Sequence, residues 1–186
     1  MADWETMLAE IVRTRRSALV GYAALFALNR VDGEDLVQEA LVRVFAKRRS
    51  FTDAASAEAY VKAAIRTCFL DRTRRAKTAQ GRAHLFLVDD VRSPEASVVA
   101  GVDVAAALAT LSPRERACVV ARYFDDLAVA EVAAELGLSD GAVKRYLFDA
   151  TAKLRERLGD AVSFPTAESA PVAVRAATPA VGRKGR

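Results

Sequence analysis

Three stretches of this sequence carry side chains whose types and spacing could do chemistry. From Ala134 to Leu147 the chain reads AELGLSDGAVKRYL, an apolar helical end, a glycine and a capping serine before a helix that sets Lys144 beside Arg145. Between Lys62 and Arg82 the cations Lys62, Arg66, Arg72, Arg74, Arg75, Lys77 and Arg82 face a single acid, Asp71. Asp35, Gln38 and Glu39 share the polar side of DGEDLVQEALVRVF, Asp32 to Phe45. The first two stretches offer localised positive charge, which attracts phosphate by releasing counterions. The third offers carboxylates, but no nucleophile, histidine base or ligand cluster accompanies them, and no phosphate-binding or dinucleotide glycine loop is present. Periodicity alone reads Asp35, Gln38 and Glu39 as a solvated face. No catalytic residue, metal site or cofactor is expected.

Each basic stretch also has an ordinary structural reading. In AELGLSDGAVKRYL, Val132, Ala133 and Leu136 oppose Val143 and Leu147, while Gly137 ends one helix and Ser139 caps the next, the spacing of a helix-turn-helix. A plain helical hairpin with surface cations fits the same pattern. Tyr60 and Phe69, interleaved with the long basic run, sit at the spacing of hydrophobic-core residues, although aromatic faces can also stack on unpaired bases. The loop from Phe51 to Ser56 is the better place to contact a splayed base. Cys68 and Cys118 lie far apart without a CxxC pattern and read as small buried hydrophobes; the sole histidine, His84, has no assigned role.

The elements that must position these residues are helical throughout. The chain has 186 residues, 52% of them apolar and 28% charged, with a formal charge of +4, a composition suited to one domain or two small ones. Trp4, Met7, Leu8, Ile11 and Val12 start a helix that continues or breaks into the apolar run ending at Leu28, which is too short to span a membrane. Leu36, Val37, Ala40, Leu41, Val44 and Phe45 mark a second helix over about 32–47, with Asp32 resembling its cap. A third covers about 57–75. Periodicity fades between Thr78 and Ala100, and Ser112, Pro113 and Glu115 then form a strong helix start: cap, first-position proline and capping-box glutamate. Further helices are expected to about Phe124, over 128–136, and to about Leu158. Pro165, Pro171 and Pro179 interrupt the last stretch, which is expected to be disordered. The fold class is all-α, with two small helical domains joined by a linker: residues 1–80, a linker at 81–106, residues 107–160, and a tail at 161–186. The absence of a basic leader before the first apolar segment and the cysteine usage point to the cytoplasm.

Taken in order, these segments resemble the extracytoplasmic-function, or group 4, sigma factors of bacterial RNA polymerase. DGEDLVQEALVRVF is similar to the region 2 helix that docks on the clamp helices of the polymerase β′ subunit. AEAYVKAAIRTCFLDRTRR, Ala57 to Arg75, is similar to the reader of the -10 element, and Leu111 to Gly159 resembles the region 4 domain, which reads the -35 element and contacts the β flap. The resemblance implies that Asp35, Gln38 and Glu39 bind core polymerase. It assigns Phe51, Thr52, Ser56, Lys62, Arg66 and Thr67 to the -10 strand, and Lys144, Arg145 and Phe148 to the -35 duplex, with Ser139 capping their helix. It further implies an anti-sigma partner, no membrane insertion and no enzymatic activity of the chain itself. Tyr60 replaces a common tryptophan, Thr67 a frequent asparagine, and Asp149 a common basic residue. A stand-alone helix-turn-helix regulator is the alternative; a recombinase or nuclease would need a catalytic site that the sequence does not supply.

Overall fold

A computed structural model describes residues 3–48, 50–82 and 104–158, and eight helices run through them. The helices are α1 (Trp4–Thr14), α2 (Arg16–Ala27), α3 (Arg30–Phe45), α4 (Ala54–Arg82), α5 (Val104–Ala109), α6 (Pro113–Tyr123), α7 (Val129–Leu136) and α8 (Asp140–Leu158). The all-α expectation holds. The first apolar segment breaks at Arg15, and both ends of the expected linker are helical, because α4 runs on to Arg82 and α5 begins at Val104. His84 and the expected tail lie outside the described residues.

Helices α1 to α4 enclose the first core. Ile11, Leu19, Phe26, Leu36 and Ile65 are fully buried, and each such side chain contributes on the order of 1.5–3 kcal/mol. The rings of Tyr22, Phe26 and Phe69 follow one another at centroid distances of 5.3 and 5.4 Å. Helices α2 and α3 cross at Gly33, where an added Cβ would lie 3.2 Å from the Ala24 amide nitrogen and 3.3 Å from the Val20 carbonyl oxygen. A methyl there would require the α2 backbone to give by a few tenths of an ångström, so glycine suits the close crossing. The cap of α3 is Asn29 rather than the expected Asp32: its Oδ1 accepts from the Asp32 amide at 2.8 Å and its Nδ2 donates to the Asp32 carboxylate at 2.6 Å. Asp32 therefore stands in the first turn, where its charge favours the helix dipole.

Helices α5 to α8 build the second core from Leu108, Leu111, Cys118, Val119, Val132, Val143, Leu147 and Leu154. The expected capping box is present: the Ser112 hydroxyl accepts from the Glu115 amide at 3.4 Å, and the Glu115 carboxylate accepts from the Ser112 amide at 2.7 Å. Lys153 of α8 closes on the same carboxylate at 2.7 Å, joining the start of α6 to the long last helix. Burial works against the Glu115 charge, but Lys153 and the Ser112 hydrogen bonds outweigh it and hold the carboxyl below its ordinary pKa. Cys68 and Cys118 are free and buried, as expected, and burial pushes the Cys118 thiol up to about 12.

The two cores meet. Leu25 and Leu28 pack against the second, while Ala117, Val120 and Leu136 reach into the first. Buried Arg116 of α6 donates to the carbonyls of Leu108, Phe26 and Leu111 at 3.0, 2.6 and 3.2 Å, thereby satisfying helix-end acceptors on both sides of the contact. Burial lowers its pKa to about 10, which leaves it charged at neutral pH.

Candidate functional site

The expected site residues fall on three surfaces. On α3 the apolar stripe Leu36, Val37 and Ala40 turns inward, which leaves Val31, Asp35, Gln38 and Val42 outside at helical spacing. Val31 and Val42 are 73% and 64% exposed, so the face is acidic and polar at its centre with an apolar residue at each end. The sequence reading missed both valines; their position off the core stripe was the available signal. Glu39 differs from Asp35 and Gln38. It is half-buried and accepts from Arg72 Nε at 2.8 Å, an ion pair between α3 and α4.

The second surface is α4 with the turn before it, and here the placement departs most from expectation. Phe51 is 4% exposed, wedged 5.5 Å from the Phe45 ring and 5.4 Å from Tyr60. Its ring is thus a core element rather than one presented to a base. Thr52 and Ser56 are linked hydroxyl to hydroxyl at 3.2 Å around Asp53, whose carboxylate accepts from the Ser56 amide at 2.7 Å and caps α4. That backbone hydrogen bond, with further help from Thr52, lowers the Asp53 pKa. The Thr67 hydroxyl donates to the Ala63 carbonyl at 2.9 Å along its own helix. Phe69 is buried and Tyr60 is packed against the first core, which settles the aromatic pair in favour of packing.

The basic run on α4 has acidic partners both within its own helix and from distant parts of the chain. Arg72 meets Glu39, and both Arg43 and Arg74 meet Asp71 at 3.1 Å. Lys62 lies 3.7 Å from Glu58, 3.5 Å from Asp125 and 5.2 Å from the Tyr22 ring centroid. Arg66 is the extreme case. Its side chain is 3% exposed and forms ion pairs with Asp125, in the turn after α6, and with Glu135 on α7, besides donating to the Tyr22 hydroxyl at 2.5 Å. That hydroxyl in turn donates to Asp125 at 2.5 Å. Burial disfavours the Arg66 charge, but the surrounding Tyr22, Glu135 and Asp125 more than compensate, and its pKa is raised. Burial likewise raises the Tyr22 pKa well above normal. Asp125 and Glu135 are 59 and 69 residues from Arg66, beyond any helical periodicity.

The third surface is the α7–α8 pair. Gly137 ends α7 at φ +64°, a left-handed conformation that glycine adopts without a Cβ penalty. The Ser139 hydroxyl then accepts from the Ala142 amide at 3.2 Å and caps α8. Val132, Ala133, Val143 and Leu147 are buried between the helices. Lys144, Arg145 and Phe148 project from the opposite side of α8, Phe148 at 75% exposure. Asp149 turns back along the helix to Arg145, with Oδ2 3.9 Å from Nε. The departure noted in the sequence is therefore a carboxylate placed beside one of the exposed cations.

The arrangement defines a two-domain helical protein whose second domain carries a helix-turn-helix with exposed cations on its second helix. Comparisons with known proteins agree. The Sigma-70 region 2 family matches residues 11–79, and the Sigma-70, region 4 family matches residues 107–156. The chain is 34% identical over 162 residues to the RNA polymerase sigma-E factor of Streptomyces avermitilis, covering 85% of this chain and 89% of the relative. It is 38% identical over 131 residues to the ECF RNA polymerase sigma factor SigF of Caulobacter vibrioides, covering 68% of this chain and 71% of the relative. A similar fold occurs in the sigma factor RpoE of Bartonella quintana, solved in complex with the anti-sigma factor NepR. The TM-score is 0.59 at 23% identity, covering 80% of this chain and 93% of that one. The chain belongs to the extracytoplasmic-function group of the sigma-70 family, the RNA polymerase sigma factors that direct promoter-specific transcription.

Proposed function

We propose that this sigma factor divides its work among the three surfaces. The exposed face of α3 joins core polymerase at the β′ clamp helices, with Asp35 and Gln38 as polar contacts and Val31 and Val42 at the ends. Glu39 acts there chiefly by fixing α3 to α4 through Arg72. Residues 1–80 then read the -10 strand through Lys62, Arg66 and the Thr52–Ser56 turn, with Thr67 beside them and Phe51 shaping that turn from beneath. Residues 107–160 hold the -35 duplex through Lys144, Arg145 and Phe148 on the helix capped by Ser139, and contact the β flap; residues 81–106 link the two modules. Separate weak contacts of this kind become effective when a larger body fixes them in register. The chemistry of RNA synthesis belongs to the polymerase, and the cytoplasm is where the two meet.

The observation that carries this reading is the exposed α3 face, on which Asp35 and Gln38 stand beside Val31 and Val42 at 73% and 64% exposure. Asp35→Lys reverses the charge at its centre without touching the inward stripe. Capture of the variant by immobilised core polymerase is expected to fall by about tenfold or more, as for a charge reversed within a contact, with an unchanged unfolding transition. Parent-like capture would remove α3 from the interface. An anti-sigma partner is part of the same proposal, supported by the NepR complex of the related fold; a protein covering the α3 face would compete directly with polymerase.

A further inference from the structure

Asp149 sets a carboxylate on the outer side of α8 one turn after Arg145, with Oδ2 3.9 Å from Nε. Val143, Leu147, Ala150 and Leu154 bury the opposite side of the helix, so both charges project away from the core. At that separation the two groups attract each other from beyond hydrogen-bond reach, and each keeps hydrogen-bonding capacity for a third partner. The next cation along the helix, Lys153, does not draw Asp149 away, because its Nζ lies 2.7 and 2.9 Å from the two Glu115 oxygens. Gly141 stands one turn before Arg145 on the same face, with open space about its missing Cβ. The Arg145 guanidinium is accordingly uncovered, at 84% side-chain exposure.

A carboxylate brought up to DNA is repelled by phosphate and is matched only where the groove offers a donor. In the major groove the donors are cytosine N4 and adenine N6, while guanine O6 and N7 together accept both hydrogen bonds of a guanidinium. We infer that Arg145 and Asp149 act as one reader of a single G·C pair, Arg145 donating to guanine O6 and N7 while Asp149 accepts from the N4 amino group of the paired cytosine. This rests on the reading of α8 as the helix that holds the duplex. A G·C pair sets two acceptors side by side with the donor beyond them, the complement of a guanidinium followed by a carboxylate. An A·T pair puts the adenine amino group between its two acceptors, so the guanidinium loses one of its two bonds. Where no matching pair is present, Arg145 turns to phosphate and the carboxylate is left unpaired against the duplex. Asp149 thus lowers general affinity and supplies selectivity, which is a difference between two affinities.

The test selects duplexes of roughly 25 base pairs, randomised over about eight central pairs, by binding to the full chain and sequences the bound fraction. The parent is expected to fix a G·C pair at one position, preferring it to A·T there by about tenfold or more. Asp149→Ala should lose that preference at the one position, keep the rest of the selected pattern, and bind the unselected pool more tightly than the parent does. Asp149→Asn should shift the same position toward A·T, because an amide pairs with adenine N6 and N7. A variant that had merely damaged the helix would blur every position, which the retained pattern guards against. The inference is overturned if Asp149→Ala selects the parent's pattern unchanged, or if the parent fixes no G·C pair. Failure of the underlying reading is seen separately: Lys144→Ala/Arg145→Ala would then select the full parent pattern, whereas loss of the pattern in that variant with none in Asp149→Ala leaves α8 as the duplex helix and removes only the role of Asp149.

Discussion

Removing Lys144 and Arg145 tests the duplex-gripping role of α8 in quantities that the geometry allows to be worked out in advance. Both side chains stand on the exposed side of α8, and each is expected to neutralise one phosphate. A phosphate contact contributes about 0.9 to the slope of log affinity against log salt. The double variant Lys144→Ala/Arg145→Ala should therefore lose about 1.8 from that slope, so that its deficit against the parent shrinks about twelvefold between 50 and 200 mM salt. Asp149 refines the expectation. Its carboxylate lies 3.9 Å from Arg145 Nε with both groups open to water, at side-chain exposures of 84% for Arg145 and 44% for Asp149. An exposed pair of this kind is worth less than about 1 kcal/mol, so Arg145 is free to leave it for phosphate, but the carboxylate then remains near the DNA. Asp149→Ala should tighten duplex binding and steepen the slope. Fluorescence anisotropy with the full chain and a labelled duplex of roughly 25 base pairs measures all of this, because phosphate contacts need no particular sequence. Equal slopes for the double variant and the parent would show that α8 does not carry the contact.

Two further outcomes probe the scaffold. Gly33→Ala places a methyl 3.2 and 3.3 Å from α2 backbone atoms, an overpacking expected to destabilise the chain by about 1–3 kcal/mol in urea unfolding; an unchanged midpoint would contradict the close crossing of α2 and α3. Glu115 has a lowered folded-state pKa, so it stabilises the fold above its ordinary pKa and this support is lost as pH falls through the lowered value. Glu115→Gln should consequently weaken the fold at neutral pH by about 0.5–2 kcal/mol, the range for lost caps, and flatten the loss of stability on acidification. Identical pH profiles would refute the role of the Lys153 and Ser112 contacts.

The parts legible in the sequence were those governed by neighbours. The capping box at Ser112, the αL glycine at Gly137, the Ser139 cap and the buried Val132, Val143 and Leu147 all depend on residues within a turn or two, where helical spacing is informative. Asn29 was overlooked as a cap because Asp32 offered a second capping pattern three residues later, and helix ends are the least certain part of such a reading. Phe51 read as a loop aromatic, but its ring completes a stack between Phe45 and Tyr60 that only the folded chain assembles. The same limit hid the fate of the basic helix. Its local stretch holds one acid, whereas Glu39, Asp125 and Glu135 arrive from three other parts of the chain. Local charge counts described the supply of cations and gave no information on distant carboxylates. Periodicity placed Arg66 on a helix over about 57–75; the domain contact that covers it followed from the tertiary structure.

The central claim is that this chain confers promoter choice on a polymerase rather than regulating genes by binding an operator alone. Run-off transcription with purified core polymerase on a pool of promoter fragments tests it most directly. Discrete transcripts that require both the polymerase and the chain are the predicted result. Tight operator binding without polymerase, together with a transcript pattern no different from that of core enzyme alone, would contradict it.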